Sequence, residues 1–133
     1  MLARALGYDC LVTDLLIQYP ASLTLAEYLH RHGHQALLKL ESHAIADLNL
    51  QQTLIATGSS AIYGETAMRQ LALMGHIVYL RCPLSVLDQR VGDMNARGIA
   101  APPDEGLNEV EAERVPLYEQ YAYATLNVGT QSI

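Results

Sequence analysis

The sequence contains no tryptophan and no phenylalanine, so tyrosine supplies all eight aromatic side chains. Its apolar stretches are only as long as strands, which excludes a membrane-spanning helix of about 20 residues. The first residues also lack the apolar segment of a secretory signal. Half of the 133 residues are nevertheless apolar, which is enough to bury one core, and we predict a single domain over residues 1–133.

Positive charge is scarce, because 8 lysine and arginine residues stand against 14 acidic residues and give a net charge of −6. This balance disfavours binding to nucleic acid or to anionic lipid surfaces.

Cysteine is scarce too. Cys10 and Cys82 both lie in strand-like runs, where we expect buried free thiols of a reducing compartment. We therefore expect a cytoplasmic protein.

The sequence begins with a pattern typical of the end of a helix. Residues 1–6 (MLARAL) form its last turns, and Gly7 stops it because glycine adopts the left-handed conformation at little cost. Residues 8–14 (YDCLVTD) have the composition of a buried strand. Since a helix that leads into a strand usually follows an earlier strand, we expect a longer protein with a strand and loop before Met1.

The rest of the pattern alternates helices and strands. A short helix or turn is predicted before Pro20, which closes it, and a second helix from Thr24 to Gly33. Further helices are predicted over 35–48, over 65–74, after Pro83 and over 109–121, and the last of these is kinked or restarted at Pro116. Strands are predicted over 53–57, 76–82 and 125–128, and an exposed, mobile lid loop over about 95–107. This alternation predicts an α/β fold with a mostly parallel sheet between two layers of helices.

Two candidate binding features follow predicted strands, where such sheets bind ligands. The carboxylate of Asp14 could act as a base or accept hydrogen bonds from a substrate hydroxyl, but the spacing alone favours a helix cap. The turn Gly58-Ser59-Ser60 presents backbone N–H groups and two hydroxyls to a substrate hydroxyl or carboxylate. Gly-Ser turns are also common connectors.

Three arginines are candidate anion ligands. Arg97 lies in the predicted loop, where a mobile arginine can close over a phosphate. Arg90 comes late in a helix, where the helix dipole alone explains a cation. For Arg114 the simplest explanation is a surface ion pair with Glu111 or Glu113, which contributes little to stability.

The histidines of the run HRHGH suggest a metal site, because His30 and His34 would share a face of one helix. Gly33 interrupts that spacing, and no cysteine or carboxylate completes a ligand set. We predict no metal site here.

Four segments, ALGYDCLVTDLLI, LIATGSSAIY, GHIVYLRCPLSVLDQRVGD and ERVPLYEQYA, resemble the shikimate kinase family in order and spacing. The resemblance extends from about Ala3 to Val128. It implies a P-loop fold like that of nucleoside monophosphate kinases, with a three-layer parallel sheet whose first, central strand is missing here. It also implies transfer of phosphate from ATP to a hydroxyl of shikimate, with Mg²⁺.

The same resemblance implies roles for the candidate residues. Asp14 would bind the substrate hydroxyls and assist deprotonation, the turn at residues 58–60 would line the substrate, and Arg114 would bind its carboxylate. On the nucleotide side, Arg90 would flank adenine, and Arg97 would be the lid arginine that neutralises charge on the transferring phosphate.

The sequence also departs from the family pattern. Val12 replaces an acid of the magnesium shell, Ser59 and Ser60 replace glycines and narrow the pocket, and Leu38 replaces a second arginine for the carboxylate. Lys39 is adjacent, but one helical step turns it about 100° away. Because the phosphate-binding G-x-x-x-x-G-K-[ST] loop is not among these 133 residues, we expect them alone to be inactive in phosphoryl transfer.

Three interpretations remain. The chain is a shikimate-kinase-like protein whose start lies upstream, a noncatalytic relative that binds a small hydroxy acid or a partner chain, or a kinase for another acceptor such as a sugar acid. The sequence does not indicate the oligomeric state.

Overall fold

A computed structural model describes residues 1–129 of the chain, so residues 130–133 of the predicted domain lie outside it. The helices are α1 (Leu2–Leu6), α2 (Thr13–Ala21), α3 (Leu25–His32), α4 (His34–Ala46), α5 (Glu65–Met74), α6 (Leu84–Val91) and α7 (Leu107–Tyr121), with a 3-10 turn at Ala61–Tyr63. The strands are β1 (Asp9–Val12), β2 (Thr53–Ala56), β3 (Val78–Arg81) and β4 (Ala124–Asn127). The predicted alternation of helices and strands is confirmed.

All strand pairing is parallel in the part of the chain that the structure describes, which confirms the α/β class. β1 pairs with β2 from Asp9↔Thr53 to Val12↔Ala56, and β3 pairs with β4 from Val78↔Ala124 to Arg81↔Asn127. The four strands form two two-stranded sheets, so β2 and β3 each have one hydrogen-bonded neighbour among residues 1–129. Because β1 and β2 end side by side, the residues that follow them meet at one edge.

Three helix boundaries follow the sequence signals. Gly7 ends α1 in the left-handed conformation (φ 68°, ψ 30°). Thr24 caps α3 and forms a reciprocal capping box with Glu27. Gly33, with φ 79°, separates α3 from α4, so His30 and His34 lie on different helices.

Two prolines interrupt their helices less than predicted. α2 continues through Pro20 and ends one residue later, at Ala21, so the proline lies inside the helix that it was predicted to close. α7 is one helix that includes Pro116 and does not restart there. Arg114 and Tyr118, which lie on either side of this proline, both donate hydrogen bonds to Ser59. These two bonds hold α7 in place.

The cysteines and the predicted loop differ from the sequence expectations. Cys10 is exposed and Cys82 is half-buried, so the prediction that both thiols are buried is wrong. Cys10 lies on β1, of which three of the four residues are exposed. In the loop, Arg97 is exposed, but Gly98 and Ala100 are buried, so that only part of the segment is exposed as predicted.

The core consists of two apolar clusters that share helix α4. The first contains Ile45, Ala61, Ile62, Ala67 and Met68, and the second contains Ile17, Leu37 and Ala100. Ala100 fixes the loop to the second cluster, which also includes α2. No helix within residues 1–129 is long and apolar enough to span a membrane.

Candidate functional site

The turn after β2 is fixed to the start of α2. The register Val12↔Ala56 brings Thr13 and Gly58 together, and the Gly58 N–H donates a hydrogen bond to Thr13 Oγ1 at 3.3 Å. Thr13 is 1% exposed, so this bond lies inside the fold. The turn therefore has a fixed position relative to the next residue, Asp14.

Asp14 lies in the first turn of α2 and does not cap it. The N-cap residue is Val12, which makes no side-chain capping bond, so the expectation that Asp14 is a structural cap is wrong. Asp14 Oδ1 lies 3.3 Å from the point that a Cβ atom on Gly58 would occupy. Within the described residues no hydrogen bond engages this carboxylate, and its partial burial raises the pKa of Asp14. The carboxylate is thus available to a ligand at the turn.

Glu41 is a site residue that the sequence reasoning missed. It is 3% exposed, and its Oε2 accepts a hydrogen bond from Ser60 Oγ at 2.5 Å. Burial is the main cause that raises the pKa of Glu41; the nearby charge of Asp14 raises it further, whereas Ser60 and Arg114 lower it. An acid in the buried row formed by residues 37, 41 and 45 of α4 is the signal that could have identified it.

Arg114 reaches the same turn from α7. It is 2% exposed and donates from Nη1 to Ser59 Oγ at 2.7 Å, from Nε to Tyr63 Oη at 3.3 Å, and from Nη2 to the carbonyl of Ala100. Its guanidinium carbon also lies 5.3 Å from the centre of the Tyr63 ring. The alternative of a surface ion pair is therefore wrong, because the side chain is buried and bonded to the turn and the loop.

Two tyrosines that the sequence reasoning also missed hold this arrangement. Tyr63 donates a hydrogen bond to Glu113 Oε1 at 2.5 Å, and Tyr118 donates one to the carbonyl of Ser59 at 2.9 Å. Burial raises the pKa of Tyr118 to about 12, so this hydroxyl remains a donor at neutral pH. Tyr118 lies one helical turn after Arg114, so both face the same side of α7.

A cavity of about 410 Å³ lies between α4, α7 and the loop, with Arg114 in its wall. Leu38 and Lys39 both line it, although the helical step predicts that they point in different directions. The opening is wide enough to include both, and Lys39 itself is exposed. Lys39 therefore places a second positive charge in the wall of this cavity, together with the acidic residues Glu105 and Glu113, whereas Asp14 and residues 58–60 lie outside its lining.

The other two candidate arginines form a separate group. Arg97 donates from Nη2 to the carbonyl of Arg90 at 2.6 Å, and Arg90 Nη1 lies 3.8 Å from Cys82 Sγ. Among residues 1–129, Arg97 shares no hydrogen bond or ion pair with Asp14 or Arg114. The structure thus brings together the residues predicted for the substrate, and separately those predicted for the nucleotide.

A divalent metal ion finds no ready ligand set in the described residues. No group of three or more histidine, cysteine, aspartate or glutamate side chains there could hold one. Only two carboxyl groups in the described residues, those of Asp14 and Glu41, lie against Gly58 of this turn, and burial raises the pKa of both. The described residues therefore do not fit Mg²⁺ on their own.

The groups at the turn suit a small molecule with several hydroxyls and one carboxylate. The Asp14 carboxylate accepts hydrogen bonds from hydroxyls, the exposed Ser59 hydroxyl can donate, and the Arg114 guanidinium attracts an anion, whereas the buried Ser60 hydroxyl already donates its hydrogen to Glu41. These groups come from three different helices or turns, so their spacing depends on the whole fold.

Comparison with known proteins gives a consistent result. The model of the family described as shikimate kinase matches residues 1–133. Shikimate kinase 2 of Serratia proteamaculans is 33% identical over 135 residues, covering 95% of this chain and 75% of that protein. Shikimate kinase 2 of Yersinia enterocolitica is 30% identical over 131 residues, with coverage of 95% and 75%. The chain spans about three quarters of the length of these relatives.

Solved structures show the same fold. The shikimate kinase of Acinetobacter baumannii in complex with shikimate aligns with a TM-score of 0.86 and 24% identity, covering 98% of this chain and 74% of that one. The shikimate kinase of Aquifex aeolicus aligns with a TM-score of 0.80 and 23% identity, with coverage of 98% and 77%.

Proposed function

The chain belongs to the shikimate kinase family, and we propose that Asp14, the turn at residues 58–60 and Arg114 form its binding site for shikimate. One observation carries this proposal: a single turn receives an unengaged carboxylate from α2 and a buried guanidinium from α7. Shikimate has hydroxyls for the first group and a carboxylate for the second. The Acinetobacter relative, whose fold this chain shares, was solved with shikimate.

Asp14 binds and activates the acceptor hydroxyl in this proposal. Its carboxylate accepts the hydroxyl proton in a hydrogen bond, and partial burial makes the ionised form a stronger base than an exposed aspartate. The bond from Gly58 to Thr13 keeps the turn at a constant distance from this base. The proton acceptor and the bound hydroxyl are therefore positioned before the reaction.

Arg114 supplies the positive charge for the acceptor carboxylate. It is held from three sides by Ser59, Tyr63 and the Ala100 carbonyl, so that little side-chain entropy is lost on binding. Lys39 lines the same cavity, as do the acidic residues Glu105 and Glu113, so the attraction for an anion depends on Arg114. This arrangement favours shikimate, or a similar hydroxy acid, over a neutral polyol.

The family implies ATP and Mg²⁺ as partners of the reaction. Arg90 and Arg97, which lie together at the end of α6, are the residues that we propose for the nucleotide. The chain's one lysine, Lys39, follows a leucine, so its 133 residues contain no G-x-x-x-x-G-K-[ST] loop to bind the phosphates. We therefore propose that a polypeptide of these residues binds the acceptor but transfers phosphate poorly.

Calorimetric titration of shikimate into the 133-residue chain tests the acceptor site. We expect saturable binding that Asp14→Asn weakens about tenfold or more, since the amide cannot accept as many charged hydrogen bonds. Asp9→Asn, an exposed aspartate at the start of β1, is the matched control and should leave the affinity unchanged. Equal affinity in both variants would exclude Asp14 from the site.

A further inference from the structure

Ser59 occupies a hydrogen-bonding position on Arg114 that an incoming carboxylate needs. A guanidinium has five N–H donors. Three of the nitrogen atoms of Arg114 already donate within the protein, to Tyr63, Ser59 and Ala100. Ser59 and Tyr63 are both exposed residues that accept through a hydroxyl, but only the Ser59 hydroxyl accepts from a terminal nitrogen, Nη1, since Tyr63 accepts from Nε.

Two hydrogen bonds from α7 fix the position of the Ser59 hydroxyl against the Arg114 guanidinium. Tyr118 donates to the Ser59 carbonyl at 2.9 Å, while Arg114 donates to the Ser59 hydroxyl at 2.7 Å. These two residues of α7 thus bind both the backbone and the side chain of the same serine. The hydroxyl oxygen lies where one oxygen of an anion bonded to Nη1 would lie.

We propose that Ser59 determines how tightly this site binds carboxylates, because its hydroxyl competes with the ligand for Nη1 of Arg114. This inference rests on the proposed function, in which Arg114 receives the acceptor carboxylate. The three bonds within the protein use three of the five N–H donors, and a bidentate pair that includes the Nη1–H now bonded to Ser59 requires the ligand to displace the hydroxyl. Ser59 therefore lowers the affinity for carboxylates and leaves the affinity for neutral acceptors unchanged.

A Ser59 hydroxyl that helps to bind the carboxylate would change the affinity in the opposite direction. If Ser59 instead helped to bind the ligand by donating its own hydrogen bond to the carboxylate, removal of the hydroxyl would weaken binding. The sign of the change in Ser59→Ala thus distinguishes the two. Alanine fits this exposed position, and water can solvate Arg114 Nη1 from the side that the hydroxyl leaves.

The first experiment compares the dissociation constants of shikimate for wild type, Ser59→Ala and Ser85→Ala, the last an exposed serine on α6 as the control. We expect Ser59→Ala to bind shikimate roughly tenfold more tightly, as a regained charged hydrogen bond implies. The primary amide of shikimate should show no such gain. Equal or weaker binding of shikimate by Ser59→Ala would overturn the proposal.

The second experiment does not depend on shikimate as the ligand. The Nε–H resonance of Arg114 is followed by NMR while sodium formate, the simplest carboxylate, is added. Tighter formate binding in Ser59→Ala than in wild type supports the competition, and an unchanged formate affinity contradicts it. Failure of both chains to bind shikimate, with this formate difference present, would contradict the proposed acceptor and leave the role of Ser59 supported.

Discussion

The carboxylate of Glu41 lies against the Cα atom of Gly58, so that a side chain at residue 58 would collide with Glu41 Oε1. Asp14 Oδ1 is the next nearest atom, at 3.3 Å from the same Cβ position. Two acidic side chains from different helices thus close around one glycine. This packing explains why the turn after β2 begins with glycine and positions both carboxyl groups.

Gly58→Ala should destabilise the fold by about 1–3 kcal/mol, because the added methyl group displaces a buried carboxyl group from its bond to Ser60. It should also weaken shikimate binding, since Asp14 must move as well. Urea denaturation and calorimetry measure the two effects. Gly75→Ala is the control, because no atom lies within 4 Å of its added Cβ and its backbone is extended; a similar loss there would contradict the steric explanation.

Glu41 should make the stability of the fold depend on pH. Its pKa is raised in the folded state above the ordinary value of 4.5, so the folded protein binds the proton more tightly than the unfolded chain. The resulting stabilisation is fully present below pH 4.5 and is lost as the pH rises through the folded-state pKa. Asp14 and Glu111 act in the same direction, because burial raises their pKa values too.

Glu41→Gln should remove part of this dependence and raise the urea midpoint at neutral pH, because it replaces a buried charge with a neutral isostere that can still accept from Ser60. Urea denaturation of both proteins between pH 4 and 8 measures the midpoint and its dependence on pH. Asp104→Asn, at an exposed position, controls for the loss of one negative charge. A lower midpoint for Glu41→Gln at pH 7 would show that the ionised carboxylate stabilises the fold.

Arg114→Lys should cost about 3 kcal/mol of stability and abolish measurable shikimate binding. Lysine keeps the charge but cannot bond to Ser59, Tyr63 and the Ala100 carbonyl together, which leaves buried polar groups unsatisfied. Thermal denaturation and calorimetry test this. Arg69→Lys, whose ion pair with Glu65 is largely exposed, should change stability by less than about 1 kcal/mol. Comparable losses in both variants would contradict the structural role of Arg114.

Phosphoryl transfer by the 133-residue polypeptide should be at least about 10⁴-fold slower than by the Serratia relative. Each missing electrostatic element costs about 10² in rate, and both the lysine of the phosphate loop and an acid at residue 12 are absent from the sequence. Release of ADP with ATP, Mg²⁺ and shikimate gives the rate. A rate within 100-fold of the relative would mean that other residues replace these groups.

Local signals in the sequence predict most of the fold, whereas the site depends on contacts between distant segments. Gly7, Thr24 and Gly33 define helix ends through their own conformations and hydrogen bonds, so they can be recognised without a partner. Arg114 and Ser59 are 55 residues apart, and nothing near Arg114 in sequence indicates that it is buried.

The burial of Glu41 could not be predicted from the sequence alone either. Its helical spacing with Leu37 and Ile45 predicts burial, but its acidic character predicts exposure, and only the position of Ser60 decides between them. The resemblance to the family predicts Asp14, the turn and Arg114 as site residues. The residues that hold them, Tyr63 and Tyr118, follow from the structure alone.

The central claim, that shikimate binds at the turn after β2, is tested most directly by amide chemical-shift mapping of the 133-residue chain during a shikimate titration. We expect the largest saturable shifts at Gly58, Ser59 and Ser60, with further shifts at Asp14 and Arg114, and we expect Asp14→Asn to reduce these shifts at equal ligand concentration. Saturable shifts confined to other parts of the chain, or none at these residues, would contradict it.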